Sequence, residues 1–270
     1  MTIVRRKTTS LRIISWNVNS VRARLPLIER LIGDYEPDIL CLQETKAQDA
    51  VFPLKFFRKL GYGEAFLKGQ KSYNGVAILS KVELSGGESQ DWCGKGDARH
   101  MAASLEGDVR LHNFYVPAGG EVPDAELNDK FRHKLDFLDQ MADWSAALKE
   151  PSIIVGDLNV APAEADVWSP KALKNVVSFT EIERRKLRDI FEAHGWIDAH
   201  RHFCPEPEKL YSWWSYRSKD WTVNNRGRRL DHIWISPALE GHLLDARILT
   251  GVRSWQRPSD HAPLLVDLSL

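Results

Sequence analysis

Two periodicities run through the chain. Ile39-Leu40-Cys41-Leu42 and Ile153-Ile154-Val155 are continuous apolar runs of strand length, the pattern of strands covered on both faces. Leu11 to Trp16, Tyr62 to Lys68, Gly75 to Ser80, Leu230 to Ile235 and Leu264 to Leu268 also read as strands. Met101 to Leu105 and Val109 to Tyr115 form a hairpin pattern through Glu106-Gly107-Asp108. Helical spacing appears in between: Val21, Leu25, Ile28, Leu31 and Ile32 predict a helix over 21–32, and residues 52–60 a short one stopped by Gly61. The longest helical pattern covers 124–149. Residues 180–194 carry a capping box in Thr180 and Glu183, with Gly195 just past the last turn. Tyr211 to Arg217 is aromatic-rich, and its neighbouring Trp213 and Trp214, if on a strand, face opposite ways.

Strands and helices are interspersed, with no low-complexity linker and no repeat. The expectation is one α/β domain over 11–270, preceded by a disordered basic leader at 1–10. The leader carries Arg5, Arg6 and Lys7 but no apolar stretch of signal-peptide type, and no segment has the length of a membrane span. A protein of the cytoplasm or nucleoid without membrane contact is therefore expected, a short organellar address in the leader being the other reading.

The strand termini carry the chemistry. Gly156-Asp157-Leu158-Asn159 follows the apolar run at 153–155; if the backbone stays extended, Asp157 and Asn159 share one face. A polar turn uses the same residue types, so this stretch alone decides nothing. Other strands repeat the pattern. Asn17, Glu44, Tyr115, Asp157, Asn159, Asp231, Asp260 and His261 all fall at strand ends or starts, where a sheet can gather them at one edge. A set rich in carboxylate and amide oxygens with one histidine favours Mg²⁺, with Mn²⁺ able to substitute, over zinc. No G-x-S-x-G elbow, P-loop, G-x-G-x-x-G or H-E-x-x-H occurs, which leaves metal-assisted attack of water on a phosphate ester.

Charge and cysteines narrow the classes further. Lys and Arg number 37 and Asp and Glu 37, so the net charge is zero and any polyanion must meet a local patch such as Arg226, Arg228 and Arg229. The three cysteines, Cys41, Cys93 and Cys204, are far apart and odd in number, which fits a reduced compartment.

Taken together, Trp16-Asn17, Leu42-Gln43-Glu44-Thr45-Lys46, Asn113-Phe114-Tyr115-Val116-Pro117, Gly156 to Pro162, Ser212 to Arg217, Arg229-Leu230-Asp231 and Ser259-Asp260-His261-Ala262-Pro263 resemble the exonuclease III family of bacterial abasic-site endonucleases. That family lies within the wider endonuclease/exonuclease/phosphatase superfamily, and the likeness runs from about Leu11 to the end. The resemblance implies a four-layer α/β sandwich of two packed mixed sheets flanked by helices. It implies cleavage of duplex DNA 5′ to abasic sites, with 3′→5′ exonuclease and 3′-end-cleaning activity on blocked ends, by a monomer. By motif, Glu44 is the main metal ligand with Asn17 and Asp260 nearby, and the wider metal set adds Asp157, Asn159 and His261. The resemblance further implies that Asp157 activates water, that Asn159 orients it or the phosphate, that Asp231 orients His261 toward the phosphate, and that Tyr115 hydrogen-bonds that phosphate, a phenolate role being the family's other reading. Trp213 and Leu230 line a pocket for a flipped-out sugar. Arg217, Arg226, Arg228 and Arg99 complete the DNA-contacting set. Ser20 stands where Gly is common, Ala118 where a polar residue is frequent, and Arg228 where some relatives are aromatic. The stretch 166–179 is shorter than in some bacterial members. A phosphoesterase of small or lipid phosphates, and a non-catalytic DNA-binding module, remain as alternative readings.

Overall fold

The structure, a computed structural model, describes residues 10–217 and 220–270; apart from Ser10, the expected leader lies outside the described residues. The strands are β1 (Leu11–Asn17), β2 (Ile39–Gln43), β3 (Glu64–Lys68), β4 (Val76–Ser80), β5 (Ser85–Glu88), β6 (His100–Ser104), β7 (Arg110–Tyr115), β8 (Ser152–Asp157), β9 (Ile197–Asp198), β10 (Asp231–Ile235), β11 (Leu243–Ile248) and β12 (Leu264–Leu268). The helices are α1 (Val21–Tyr35), α2 (Leu54–Lys59), α3 (Asp129–Ala147), α4 (Pro170–Leu173), α5 (Glu181–His194), α6 (Ala199–Phe203) and α7 (Trp221–Asn224).

Two six-stranded sheets result, ordered β11-β12-β1-β2-β4-β3 and β5-β6-β7-β8-β10-β9. Each is mixed: β1 with β2 and β7 with β8 are parallel, and the remaining pairs are antiparallel. The sheets pack face to face through Ile13, Ile39, Ile78, Leu111, Ile153 and Ile233. On the outer face of the first sheet, Ile28 and Leu31 of α1 and Phe57 of α2 cover Ile14, Leu40 and Leu79. On the second, Phe137 and Met141 of α3 and Ile190 of α5 cover Phe114, Ile154 and Trp234. The order helix–sheet–sheet–helix explains the continuous apolar runs of β2 and β8, which have one face on the core and the other under a helix.

Gly156, which follows the apolar run at 153–155, lies inside β8. Its φ is 140°, and a Cβ there would meet the Phe114 carbonyl oxygen at 2.0 Å, so glycine lets β7 and β8 approach. The long helix starts at Asp129 rather than 124. The Asp124 carboxylate accepts from the Glu126 and Leu127 N–H groups and forms a turn, and Asn128 caps the helix. The 211–217 stretch is no strand: Trp213 alone makes bridges, to Arg228 and His261. No helix among the described residues is long and apolar enough to cross a membrane.

Candidate active site

Alternation builds the site. Inward residues on β8 are Ile153 and Val155, so Asp157 follows on the same face; the same count gives Asp231 after Ile235 and Ile233 on β10, and Tyr115 after Leu111 and Asn113 on β7. Register sets these three side by side, Tyr115 next to Asp157 and Asp157 opposite Asp231. In the other sheet Ile13, Ser15 and Asn17 face inward on β1 and Ile39, Cys41 and Gln43 on β2, with Asn17 paired to Gln43. Both inner faces therefore turn polar at the same end. Beneath the opening, Gln43 Nε2 donates to Ser15 Oγ (3.0 Å) and across the sheets to Asn113 Oδ1 (2.7 Å). Asn113 Nδ2 in turn donates to the Leu42 (3.0 Å) and Ala77 (2.9 Å) carbonyls. This buried network pins the sheets together where the site opens.

Asn17 stands at the centre, its Nδ2 donating to Asp157 Oδ2 (2.9 Å) and Glu44 Oε1 (3.0 Å). Glu44 also meets the Lys46 ammonium at 2.8 Å. Asp231 Oδ2 accepts from Ser212 Oγ (2.6 Å) and from His261 Nδ1 (2.8 Å), which leaves His261 Nε2 3.7 Å from Asp157 Oδ2. Asp260 accepts from Asn19 Nδ2 (3.1 Å) and Trp213 Nε1 (3.0 Å). Asn159 reaches the site by a route other than strand alternation. Its φ is 55°, its N–H donates to Asp157 Oδ1 (3.0 Å) and its Nδ2 to the Val116 carbonyl (2.8 Å), so a turn rather than an extended backbone brings the two together.

Electrostatics divide the groups. Burial raises the Asp157 pKa to about 7 against the opposing pull of His261. Burial works against a charged His261, but Asp231, Asp157 and Asp260 outweigh it and lift its pKa to about 10. For Glu44, burial is overcome by hydrogen bonds from Lys46 and Asn17, and its pKa is lowered; Asp260 is lowered likewise, burial being overcome by His261 and Trp213. Burial, Glu44 and Asp157 push the Tyr115 phenol well up, so it is a neutral donor at pH 7. A poised base, an imidazolium, two ionised carboxylates and a neutral phenol thus share one opening.

The oxygens fit a hard divalent cation. Glu44 and Asp260 are ionised and line the cleft, and Asn17 and Asn159 lie among them with amide groups. Asp157, Asp231 and His261 also cluster within 4.8 Å, and Asp231 Oδ1 is buried without a hydrogen-bond partner. His261 Nδ1 is engaged with Asp231 Oδ2, so Nε2 is the ring atom that faces Asp157 and the opening.

The cleft, of 1080 Å³, brings Trp213, Leu230, Arg217, Arg226 and Arg228 together with the catalytic candidates. Trp213 and Trp214 do divide as expected: Trp214 is buried and Trp213 partly open. Arg99 is not on the cleft wall. Asp97 (3.0 Å) and the Tyr115 carbonyl (3.2 Å) hold its guanidinium, which lies 5.0 Å over the Tyr115 ring and braces that residue. Sequence reasoning passed over Ser212, Asn19 and the buried Lys134, whose ammonium donates to the Asn159 carbonyl at 2.7 Å. Only Ser212 had a signal, its place in the aromatic motif.

Two sheets with carboxylates, amides and a histidine–aspartate pair gathered at their common mouth define a hydrolase of phosphate esters. The chain belongs to the Endonuclease/Exonuclease/phosphatase family, whose model matches residues 14–261. It is 33% identical over 271 residues to an exodeoxyribonuclease III of Haemophilus influenzae, covering 94% of this chain and 98% of that protein. An AP endonuclease structure from Archaeoglobus fulgidus superposes with a TM-score of 0.89 at 33% identity, covering 96% of this chain and 100% of that one. A 3′ phosphatase of Neisseria bound to a product DNA hairpin superposes with 0.88 at 31% identity, covering 96% and 99%.

Proposed function

We propose that this chain is a DNA-repair nuclease of the exodeoxyribonuclease III type that hydrolyses the phosphodiester 5′ to abasic sites in duplex DNA and also trims blocked 3′ ends, with Mg²⁺ as its working ion. The observation that carries the reading is the meeting of Asp157, Asn17, Glu44, Asp231 and His261 at one opening beside a cleft walled by tryptophan and arginine. Relatives that are an exodeoxyribonuclease III, an AP endonuclease and a DNA-bound 3′ phosphatase support DNA as the substrate. The protein acts as a monomer in the compartment that holds the DNA.

Each residue then has a task. Asp157, with a pKa near the working pH, accepts the proton of the attacking water, and Asn159 orients that water. His261, held charged and fixed by Asp231, donates from Nε2 to a phosphate oxygen, and Tyr115 adds a neutral donor. Ser212 fixes Asp231 from behind. Glu44, with Asn17 and Asp260 nearby, holds the cation, which supplies positive charge against the phosphate. The P–O3′ bond breaks and the upstream strand leaves with a 3′-hydroxyl. Trp213 and Leu230 receive the sugar, and a missing base gives that sugar no stacking to lose. Arg217 and Arg226 meet the backbone.

Asp157→Asn should lower single-turnover cleavage of a tetrahydrofuran-containing duplex by roughly 10²–10⁴-fold while duplex binding persists. Unimpaired turnover would remove Asp157 from the role of base. Glu44→Ala should shift the Mg²⁺ titration to higher concentration, and an unshifted titration would remove Glu44 as the principal ligand.

A further inference from the structure

The wall of the cleft contains a cation with no direct ion pair: Arg228 feels Glu183 through space but touches no carboxylate among the described residues. Trp213 pairs with His261 on one side and Arg228 on the other, so three backbones run abreast. Trp213 and Arg228 exchange both backbone hydrogen bonds (2.9 and 3.0 Å). The Trp213–His261 pair is flanked instead, by Trp214 N–H to Asp260 (3.0 Å) and Ala262 N–H to Ser212 (2.7 Å). Such pairs sit roughly 5.5 and 4.5 Å apart at Cα, which places Arg228 about 10 Å from His261. Directly opposed residues project to the same side of a ladder, and all three line the cleft. Arg228 thus stands on the same cleft wall as His261, with Trp213 between them.

Its guanidinium is partly buried and held by neutral acceptors alone. Nη1 donates to the Val177 carbonyl (3.1 Å) and Ser178 Oγ (2.7 Å), and the group lies 5.3 Å from the Trp213 ring centroid. Nε has no partner, and no carboxylate of the described residues pairs with it. A desolvated cation with spare donors is costly to the free protein and is relieved by an anion entering the cleft.

We propose that Arg228 is a specificity-determining residue that reads negative charge on the substituent beyond the scissile phosphate, and so favours 3′ ends blocked by a carboxylate-bearing group such as phosphoglycolate. The proposal rests on the nuclease reading above. The reaction is the same hydrolysis: water adds to phosphorus and yields a proton to Asp157, the P–O3′ bond breaks, the 3′ oxygen takes up a proton, and phosphoglycolate leaves. No oxidant or reductant enters.

The test uses three duplexes of one sequence: one with a 3′-phosphoglycolate, one with a 3′-phosphate esterified with a neutral hydroxyethyl group of the same length, and one with an internal tetrahydrofuran. The kcat/KM ratio of the glycolate to the hydroxyethyl end is measured with Mg²⁺. A charge-assisted hydrogen bond predicts a ratio of roughly tenfold or more in the native protein. Arg228→Gln, which keeps a donor for Ser178, should bring the ratio close to one, and Arg228→Lys should restore part of it. A native ratio near one, or equal losses on both ends in Arg228→Gln, would overturn the proposal. Failure to cleave all three duplexes with Mg²⁺ would instead defeat the nuclease reading on which it rests.

Discussion

Lys134 and Glu183 have fully buried side chains, and their ion pair joins α3 to the first turn of α5 beneath the active-site loop. Burial lowers the Lys134 pKa, with Glu183 and Asp157 pulling it back. The ammonium also donates to the Asn159 carbonyl (2.7 Å), while Glu183 accepts from Ser178 N–H, Thr180 N–H and Thr180 Oγ1. Lys134→Met therefore strands a buried carboxylate and a buried carbonyl, and breaking such a pair costs about 3–5 kcal/mol. Lys134→Met with Glu183→Gln removes the stranded charge. What remains is the orphaned Asn159 carbonyl and a weaker cap, together about 2 kcal/mol. Equilibrium urea unfolding, followed by circular dichroism, should place the double variant between the single variant and the native protein at an unchanged slope. A single variant within about 1 kcal/mol of native, or a double variant no better than the single, would refute the reasoning. In the folded double variant kcat should fall more than KM rises, because the pair positions the turn that carries Asn159.

Ser20 has φ 91° and ψ 105°, a region that suits glycine, and its N–H bond to the Glu44 carbonyl (2.8 Å) survives loss of the side chain. Ser20→Gly should raise stability by about 1 kcal/mol in thermal melts, and a loss would contradict the strain. Burial lowers the pKa of His100 to about 3 and of His200 and His232 to about 4. These values lie below the unfolded value near 6.5, so the unfolded chain takes up protons first as pH falls. Stability present above about pH 6.5 is therefore lost toward pH 4, by up to about 3 kcal/mol per residue. A Tm unchanged between pH 7 and pH 5 would rule that out.

The strands and helices that build the core were legible because burial on one face or both leaves a periodic mark. β1, β2, β7, β8, β10 and β12, with α1, α3 and α5, all show it. Edge strands other than β3 leave little: β5 is Ser-Gly-Gly-Glu and exposed throughout, and β9 has two residues. Asp157 and Asn159 were found together for an incomplete reason, since the left-handed turn at Asn159 does not show in a period-two pattern. Asn17 was visible as a strand end. Its bonds to both Glu44 and Asp157 depend on register in one sheet and packing against the other, and neither is written locally. Arg99 shows what sequence proximity leaves out: an aspartate two residues before it holds it against Tyr115.

The central claim is metal-dependent cleavage of damaged DNA, and one gel tests it. A labelled duplex with a single central tetrahydrofuran is incubated with the protein plus Mg²⁺ or plus EDTA and resolved at nucleotide resolution. The account predicts one cut immediately 5′ to the analogue in Mg²⁺ and an intact strand in EDTA. An intact strand in both lanes, beside hydrolysis of a small phosphate ester by the same preparation, would contradict it.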